Sequence, residues 1–280
     1  MPDEKLFRYL ARIGLAGPMP GDPAGLTRWL AAHRQAIPFE NLDIPLGRGV
    51  AIDGANVFAK LVERRRGGYC FEQNRLLGDM LALADLPTRP LLARVLLGVP
   101  PGQVPPRTHV LLLARIGGQD WIADGGFGGS FVPPLPLADG ASADTADGAA
   151  HRLRHIVDSR GEWLLERAEP VEGADGRYTP SSEWQPQYAF DLAPVAQGDL
   201  EQGNHWTSTR PGERFTTFHV VSRVLPGGFA GLTGDRLAIY RDGETQKRQV
   251  ADLADYADVL DTVFGLSLPE EDLARLRPFG

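Results

Sequence analysis

The stretch Arg66-Gly-Gly-Tyr-Cys-Phe-Glu-Gln-Asn74 places the only cysteine of the chain between a glycine pair and a helix-forming run. Gly67 and Gly68 close whatever helix precedes them. From Cys70 onward Leu76, Leu77, Met80, Leu81 and Leu83 make one apolar face that stops before Pro87. Cys70 therefore opens a helix. At that position unpaired backbone N–H groups and the positive end of the helix dipole favour the thiolate, which is the nucleophile, and they can hold an oxyanion. The competing reading is a buried small hydrophobe, the usual role of a single intracellular cysteine. Arg64, Arg65 and Arg66 add positive charge nearby, or simply form a solvated helix end.

Upstream of this stretch the chain reads as helices. Leu6, Tyr9, Leu10 and Ile13 recur at three- and four-residue spacing, as do Leu26, Trp29, Leu30 and His33, then Val57, Leu61 and Val62. Gly14, Gly17 and Pro18 stop the first helix and Pro38 the second. Downstream of Pro87 the period changes. Leu91–Leu97, His109–Ile116, Trp121–Ala123, Leu153–Asp158 and Trp163–Arg167 are short, apolar and separated by turn residues, which predicts antiparallel strands. The 133–150 stretch, PPLPLADGASADTADGAA, predicts an exposed loop with little to pack. Tyr188 to Glu201 reads as a connector. Strands at Phe215–Arg223, Ala230–Thr233 and Arg236–Tyr240 and a helix from Leu253 to Phe264 complete the chain, with PEEDLARL as a short last turn. The layout is an α+β chain: a helical block over 1–87, a β block with connector over 88–200 and a smaller α/β block over 201–280.

Composition narrows the function. The 280 residues, 42% hydrophobic and 23% charged, suffice for a substantial core. One cysteine excludes an internal disulfide framework and a multi-cysteine metal site. Charges at Asp3, Glu4, Lys5, Arg8 and Arg12 fall where a secretion signal needs an unbroken apolar run, and no segment reaches the ~18 apolar residues of a bilayer span. The expectation is a cytoplasmic protein with no membrane contact. A net charge of −7 argues against a general nucleic-acid binder, although local arginines can still hold a small anion.

A thiolate nucleophile needs a base. Of the six histidines, His109 has a carboxylate placed to orient it. If Gly117–Gly118 is the loop between the runs ending at Ile116 and beginning at Gln119, paired positions sum to 235 and Asp124 faces Leu111. His109 and Asp124 then share a face at diagonal distance, close enough for an imidazole to meet a carboxylate. Otherwise His109 is an edge-strand histidine and Asp124 opens the following turn. His151 and His155 have the spacing of helical metal ligands, but HRLRHIVD alternates like a strand, which puts them on an exposed face with no Glu or Cys partner. His33, beside Arg34, needs no function. Gly125-Gly-Phe-Gly-Gly-Ser130 lacks the lysine of a phosphate-binding loop and reads as a turn at the mouth of whatever site Asp124 serves.

Taken in order, Pro38-Phe-Glu-Asn-Leu42, Arg66–Asn74, Thr108-His109 and Asp124-Gly-Gly-Phe127-Gly128 resemble the motifs of the arylamine N-acetyltransferases, and Asn204–Thr216 is similar to the segment that enters that family's third domain. The resemblance spans nearly the whole chain and implies a helical bundle, an antiparallel β-barrel and an α/β lid around a triad like that of cysteine proteases. It implies that Cys70, His109 and Asp124 are catalytic, that Phe39, Val95, Phe127 and Phe215 line the acceptor pocket, and that Thr108 and Gly128 neighbour the donor. The co-substrate would be acetyl-CoA, with no metal, and the acceptors arylamines or hydrazines. One departure is Gly125, where the family usually carries a bulkier aliphatic residue, which bears on the pocket floor. The same scaffold is similar to amide synthases that close macrolactams from a carrier-bound acyl chain. A non-catalytic binder of CoA or an aromatic molecule is the reading from another class.

Overall fold

The computed structural model describes residues 3–100, 102–169 and 181–276. Helix α1 (Glu4–Ile13) is capped by Asp3 and ends at Gly14, whose φ of 75° needs a residue without a Cβ. Helix α2 (Pro23–Ala36) starts at the Asp22 cap, whose carboxylate accepts from the Gly25 amide at 2.6 Å. A two-residue strand β1 (Phe39–Glu40) follows, then the short α3 (Gly54–Phe58), which runs into a π-helical turn over Ala59–Glu63, and then α4 (Cys70–Leu83).

The β block begins with β2 (Thr88–Val95), β3 (His109–Ile116), β4 (Gln119–Ala123), β5 (Leu135–Pro136) and β6 (Ser142–Asp144). It continues through β7 (Ala150–Asp158), β8 (Gly161–Glu169) and β9 (Ser181–Phe190). These form one antiparallel sheet in the order β5-β4-β3-β2-β9-β8-β7-β6, curled into a nearly closed barrel. After α5 (Gln197–Thr209) and the single turn α6 (Arg214–Thr217) come β10 (Val220–Leu225), β11 (Gly228–Thr233), β12 (Arg236–Arg241) and β13 (Glu244–Gln249). They form a second antiparallel sheet whose edge partner is β1, and α7 (Leu253–Thr262) and α8 (Glu270–Leu276) finish the chain.

Strand β3 explains how the helices and the barrel are joined. Its sequence HVLLLARI is apolar on both sides because both sides are buried. Leu112, Ala114 and Ile116 pack with α1, α2 and α4, whereas Leu111 and Leu113 face the barrel interior with Leu91, Leu165, Tyr188 and Phe190. A separate cluster fills the junction of the blocks: Phe39, Tyr69, Cys70, Phe71, Leu92, Val110 and Val220. Asn41 sews the C-terminal sheet to this junction, its amide donating to Phe215 O and Phe218 O and its oxygen accepting from the Val220 amide.

Several expectations are corrected. The 133–150 stretch is no bare loop: it contributes β5 and β6, Leu135 and Ala149 are fully buried, and Asp147 pairs with Arg167 at 2.9 Å. Tyr188 belongs to β9 and not to a connector, and Gln197 to Glu201 opens α5. Phe215 lies in the α6 turn, since Asn41 takes the carbonyls of 215 and 218 and the strand starts only at Val220. His151 is buried on β7 opposite Arg167, while His155 is exposed. Among the described residues no group of histidine, cysteine and carboxylates could hold a metal ion. No helix among them is long and apolar enough to cross a membrane.

Beneath the glycine pair lies a buried charge cluster. Lys60 Nζ sits 2.7 Å from Asp43 and 2.8 Å from Glu72, and Arg66 reaches Glu40 at 2.8 Å and Asp43 at 3.2 Å. Three carboxylates thus face two cations, and burial, opposed by Lys60, pushes the Glu72 carboxyl up to about 7. Removing one cation strands buried anions, a loss of about 3–5 kcal/mol. Lys60→Met is therefore expected to lower the unfolding free energy by that amount in urea titrations at neutral pH.

Candidate active site

Cys70 is the first residue of α4, and the residues after it tie that helix to everything around it. The Glu72 carboxylate reaches back to the Tyr69 amide at 3.1 Å, closing the first turn. Gln73 donates to Pro38 O at 2.8 Å and Gly68 O at 3.1 Å, tying the turn before the cysteine to the end of the α2–β1 connection. Its oxygen meets His33 Nε2 at 2.7 Å, and His33 Nδ1 meets the Tyr9 hydroxyl at 2.8 Å, which accepts from Trp29 Nε1. His33 is thus a buried link across the helical block, held neutral because burial takes its pKa down to about 3. Asn74, one turn beyond Cys70, donates to Val110 O at 2.7 Å and Asp124 Oδ1 at 3.1 Å and accepts from the Gly125 amide at 2.9 Å.

The hairpin brings His109 to this helix. Gly117 and Gly118 both take positive φ, at 57° and 84°, and the strands pair Leu112 with Ala123 and Leu113 with Ile122, so positions sum to 235 as the sequence implied. His109 and Asp124 meet on the barrel face, Nε2 to Oδ2 at 2.7 Å, with both side chains almost wholly buried. Burial alone would lower the imidazole pKa, but the Asp124 charge and hydrogen bond, with the Cys70 thiol against the ring, raise it to about 10. Burial likewise opposes the Asp124 charge, yet His109, the Gly126 amide and Asn74 hold the carboxyl below its usual range. With Nε2 committed to Asp124, Nδ1 is the nitrogen left for Cys70. Cys70 Sγ also lies 3.7 Å from Thr108 O.

Gly126 permits the close approach of the loop after β4 to the start of α4. A Cβ there would stand 2.7 Å from Cys70 Cα and 2.7 Å from Asn74 Nδ2. Gly125 does not floor the pocket: a Cβ on it would point at Leu77, 2.9 Å away, and at the His33 ring, toward the helical block.

Above the sulfur opens a cavity of about 210 Å³. Phe39, Cys70, Val95, Thr108, His109, Phe127, Gly128 and Phe215 all line it, so every residue singled out in the sequence faces this space except Asp124, which stands behind His109. Phe39 and Phe215 pack ring to ring at 5.7 Å, and Phe127 sets its edge against His109 at 5.3 Å. Sequence reasoning missed Trp206 and Thr207 of α5, Glu213 and Arg214 at the start of α6, and Leu97, Val99, Pro105 and Pro106 between β2 and β3. It also missed Tyr188, whose ring lies 5.0 Å from that of His109 and whose phenol is kept protonated by burial and the Asp124 charge. The alternation of Tyr188 with Phe190 was the available signal. Of the basic run, Arg64 and Arg65 are exposed, while Arg66 joins the charge cluster. A larger depression of about 750 Å³ lies against β10, β12 and β13, lined by Arg223, Arg241 and Asp242, and contains none of these groups.

A cysteine at a helix start, an imidazole and a buried carboxylate thus stand together at one end of this cavity, between the helical block and the curled sheet. The sequence pattern of the N-acetyltransferase family matches residues 24–273. The arylamine N-acetyltransferase of Escherichia coli K12 is 34% identical over 268 residues, 95% of this chain and 90% of that protein. The solved arylamine N-acetyltransferase of Salmonella typhimurium superposes with a TM-score of 0.88 at 32% identity, covering 99% of this chain and 98% of that one. That of Mycobacterium marinum in complex with CoA gives 0.85 at 33% identity, covering 97% and 98%. This chain belongs to the arylamine N-acetyltransferase family and is an acyltransferase.

Two consequences are measurable. A folded-state imidazole at about 10 against an ordinary 6.5 keeps a proton that the unfolded chain releases. The stability from the pair is therefore complete below about pH 6.5 and drains as pH rises toward 10. Over that interval the unfolding free energy should fall by up to ~1.4 kcal/mol per pH unit more steeply than in His109→Gln. Gly126→Ala should cost about 1–3 kcal/mol in thermal unfolding, because the added methyl meets backbone that cannot turn aside.

Proposed function

We propose that this enzyme moves an acetyl group from acetyl-CoA to the nitrogen of an arylamine or hydrazine by way of a thioester on Cys70. The observation that supports the reading best is the convergence of Cys70, His109 and Asp124 at one end of an aromatic-walled cavity. The CoA bound to the Mycobacterium marinum relative supports the donor.

His109 Nδ1 takes the thiol proton, and the imidazolium formed is held by Asp124. The sulfur attacks the thioester carbonyl of acetyl-CoA. The oxyanion is met by the first-turn amide of α4, that of Cys70 itself. Collapse breaks the carbon–sulfur bond to CoA, which leaves as a thiol carrying the proton from His109, and acetyl-Cys70 remains. The amine nitrogen then attacks the acetyl carbon, neutral His109 accepts its proton, and the amide departs as the Cys70 thiolate is expelled to face the imidazolium again.

Phe39, Val95, Phe127 and Phe215 would hold the acceptor ring, and Thr108 and Gly128 the donor near its thioester. An aromatic amine suits the site because much of it is neutral and nucleophilic near pH 7, whereas an alkylamine is mostly protonated. The half-buried residues at the wall, Val95, Phe215 and Thr108, leave a path for the donor past α5.

Intact-mass measurement with acetyl-CoA and no amine should show one added acetyl group on the wild type and none on Cys70→Ala; an unlabelled wild type rejects the covalent route. Steady-state rates with both substrates varied should give parallel double-reciprocal lines. Intersecting lines would mean a ternary complex.

A further inference from the structure

Arg34, in the last turn of α2, is 1% exposed, among the largest fully buried side chains of the protein. Its Nη2 donates to Phe127 O at 3.0 Å, while its Nη1, equally buried, has no hydrogen-bond partner. Of the other buried cations, Lys60 and Arg167 each touch a carboxylate within 3 Å, and Arg12 is taken up by two carbonyls, Leu61 O and Ala36 O. Among the described residues no carboxylate forms an ion pair with Arg34. A guanidinium removed from water with one nitrogen unpartnered is strongly disfavoured, and a negative charge nearby offsets part of that cost. That charge is Asp124. Burial takes the Arg34 pKa down to about 10, and the Asp124 carboxylate acts against this. The carboxylate itself is bonded to His109, Asn74 and the Gly126 amide, so the two charges interact through space and not by contact.

We propose that Arg34 is a positioning residue of the active site: a permanent cation behind Asp124 that keeps the acid ionised when His109 is neutral, and an anchor that fixes Phe127 through its carbonyl. The inference rests on the triad reading given under Proposed function. In that cycle His109 gives up its charge once the cysteine is acetylated, and a buried carboxylate left without a counter-charge takes up a proton. A neutral Asp124 would no longer orient the imidazole. The anchoring half concerns the pocket wall. Arg34 holds the carbonyl of Phe127, and Ser222 Oγ donates to the next one, Gly128 O, at 2.8 Å, so the loop that presents Phe127 to His109 is tied to α2 and β10.

The groups facing this pair are few. From β3 comes His109, from α4 Cys70, from β9 Tyr188 and from α2 itself His33, with the Arg12 charge of α1 felt at His33. Tyr188 stays protonated well above the ordinary phenol range and His33 stays neutral above about pH 3, so neither changes charge between pH 5 and 10. Removing a fixed positive charge moves the protonation of His109 and Asp124 to higher pH, and the reactivity of the sulfur beside the imidazole follows.

The test is the pH profile of Cys70 alkylation by iodoacetamide, which needs no turnover. Arg34→Gln retains a donor for Phe127 O and loses the charge; its profile should move up by about half a pH unit or more. Arg34→Lys retains the charge; its profile should superimpose on the wild type, while the KM for an arylamine rises because the carbonyl tie is altered. A glutamine profile coincident with the wild type overturns the proposal. Should the glutamine variant not fold, the lysine variant decides, since a displaced lysine profile overturns it equally. A wild type that acetyl-CoA does not label at Cys70 would bring down the triad reading itself, whereas a labelled wild type with an unmoved glutamine profile removes only Arg34.

Discussion

The interaction on which the molecule turns is the 2.7 Å contact between His109 and Asp124, two charges withdrawn from water. Such a pair is tolerable only when geometry is close and each remaining lone pair is met. The structure meets them from two directions. Asn74 comes from α4 and the Gly126 amide from the loop that follows Asp124, while the Tyr188 ring of β9 packs against the His109 ring. Because Asn74 is one helical turn from Cys70, the need to satisfy Asp124 also sets the rotation of α4 and with it the direction of the sulfur.

What holds α4 in that rotation is a set of polar ties between elements distant in sequence. Gln73 fastens the turn before the cysteine to Pro38 and passes the constraint through His33 to Tyr9 and Trp29. The Tyr69 hydroxyl bonds the Asn204 side chain, whose amide donates to Val50 O, and so couples α5 to the same helix start. The arrangement of Cys70, His109 and Asp124 is therefore not a property of one loop. It is the joint solution of four segments, two of them helical, one a hairpin and one a short strand borrowed by the C-terminal sheet.

The parts that the sequence disclosed are those governed by local rules. The glycine pair at 117–118 fixes the hairpin and hence the parity that joins His109 to Asp124, and the uninterrupted apolar run of β3 announces burial on both faces. The parts it concealed depend on partners far away. Tyr188 sits among glutamines and Pro186, which mask its alternation. Helix α5 buries only Gly203 and Thr207, too little for an apolar stripe to show. Strand β13, ETQKRQ, is a polar edge whose membership is set by backbone pairing with β12 alone. Arg34 and His33 look like an ordinary basic helix end until the blocks close over them.

The distance along the chain between the sulfur and the groups that act on it has a consequence for biosynthesis. A polypeptide emerging from the ribosome presents Cys70 well before residues 109 to 126 exist to surround it, and the thiol at that stage is an ordinary one of modest reactivity. On the proposed mechanism it is docking of the hairpin onto α4 that brings the imidazole to the sulfur. The thiol's appetite for electrophiles would then serve as a gauge of whether maturation is complete.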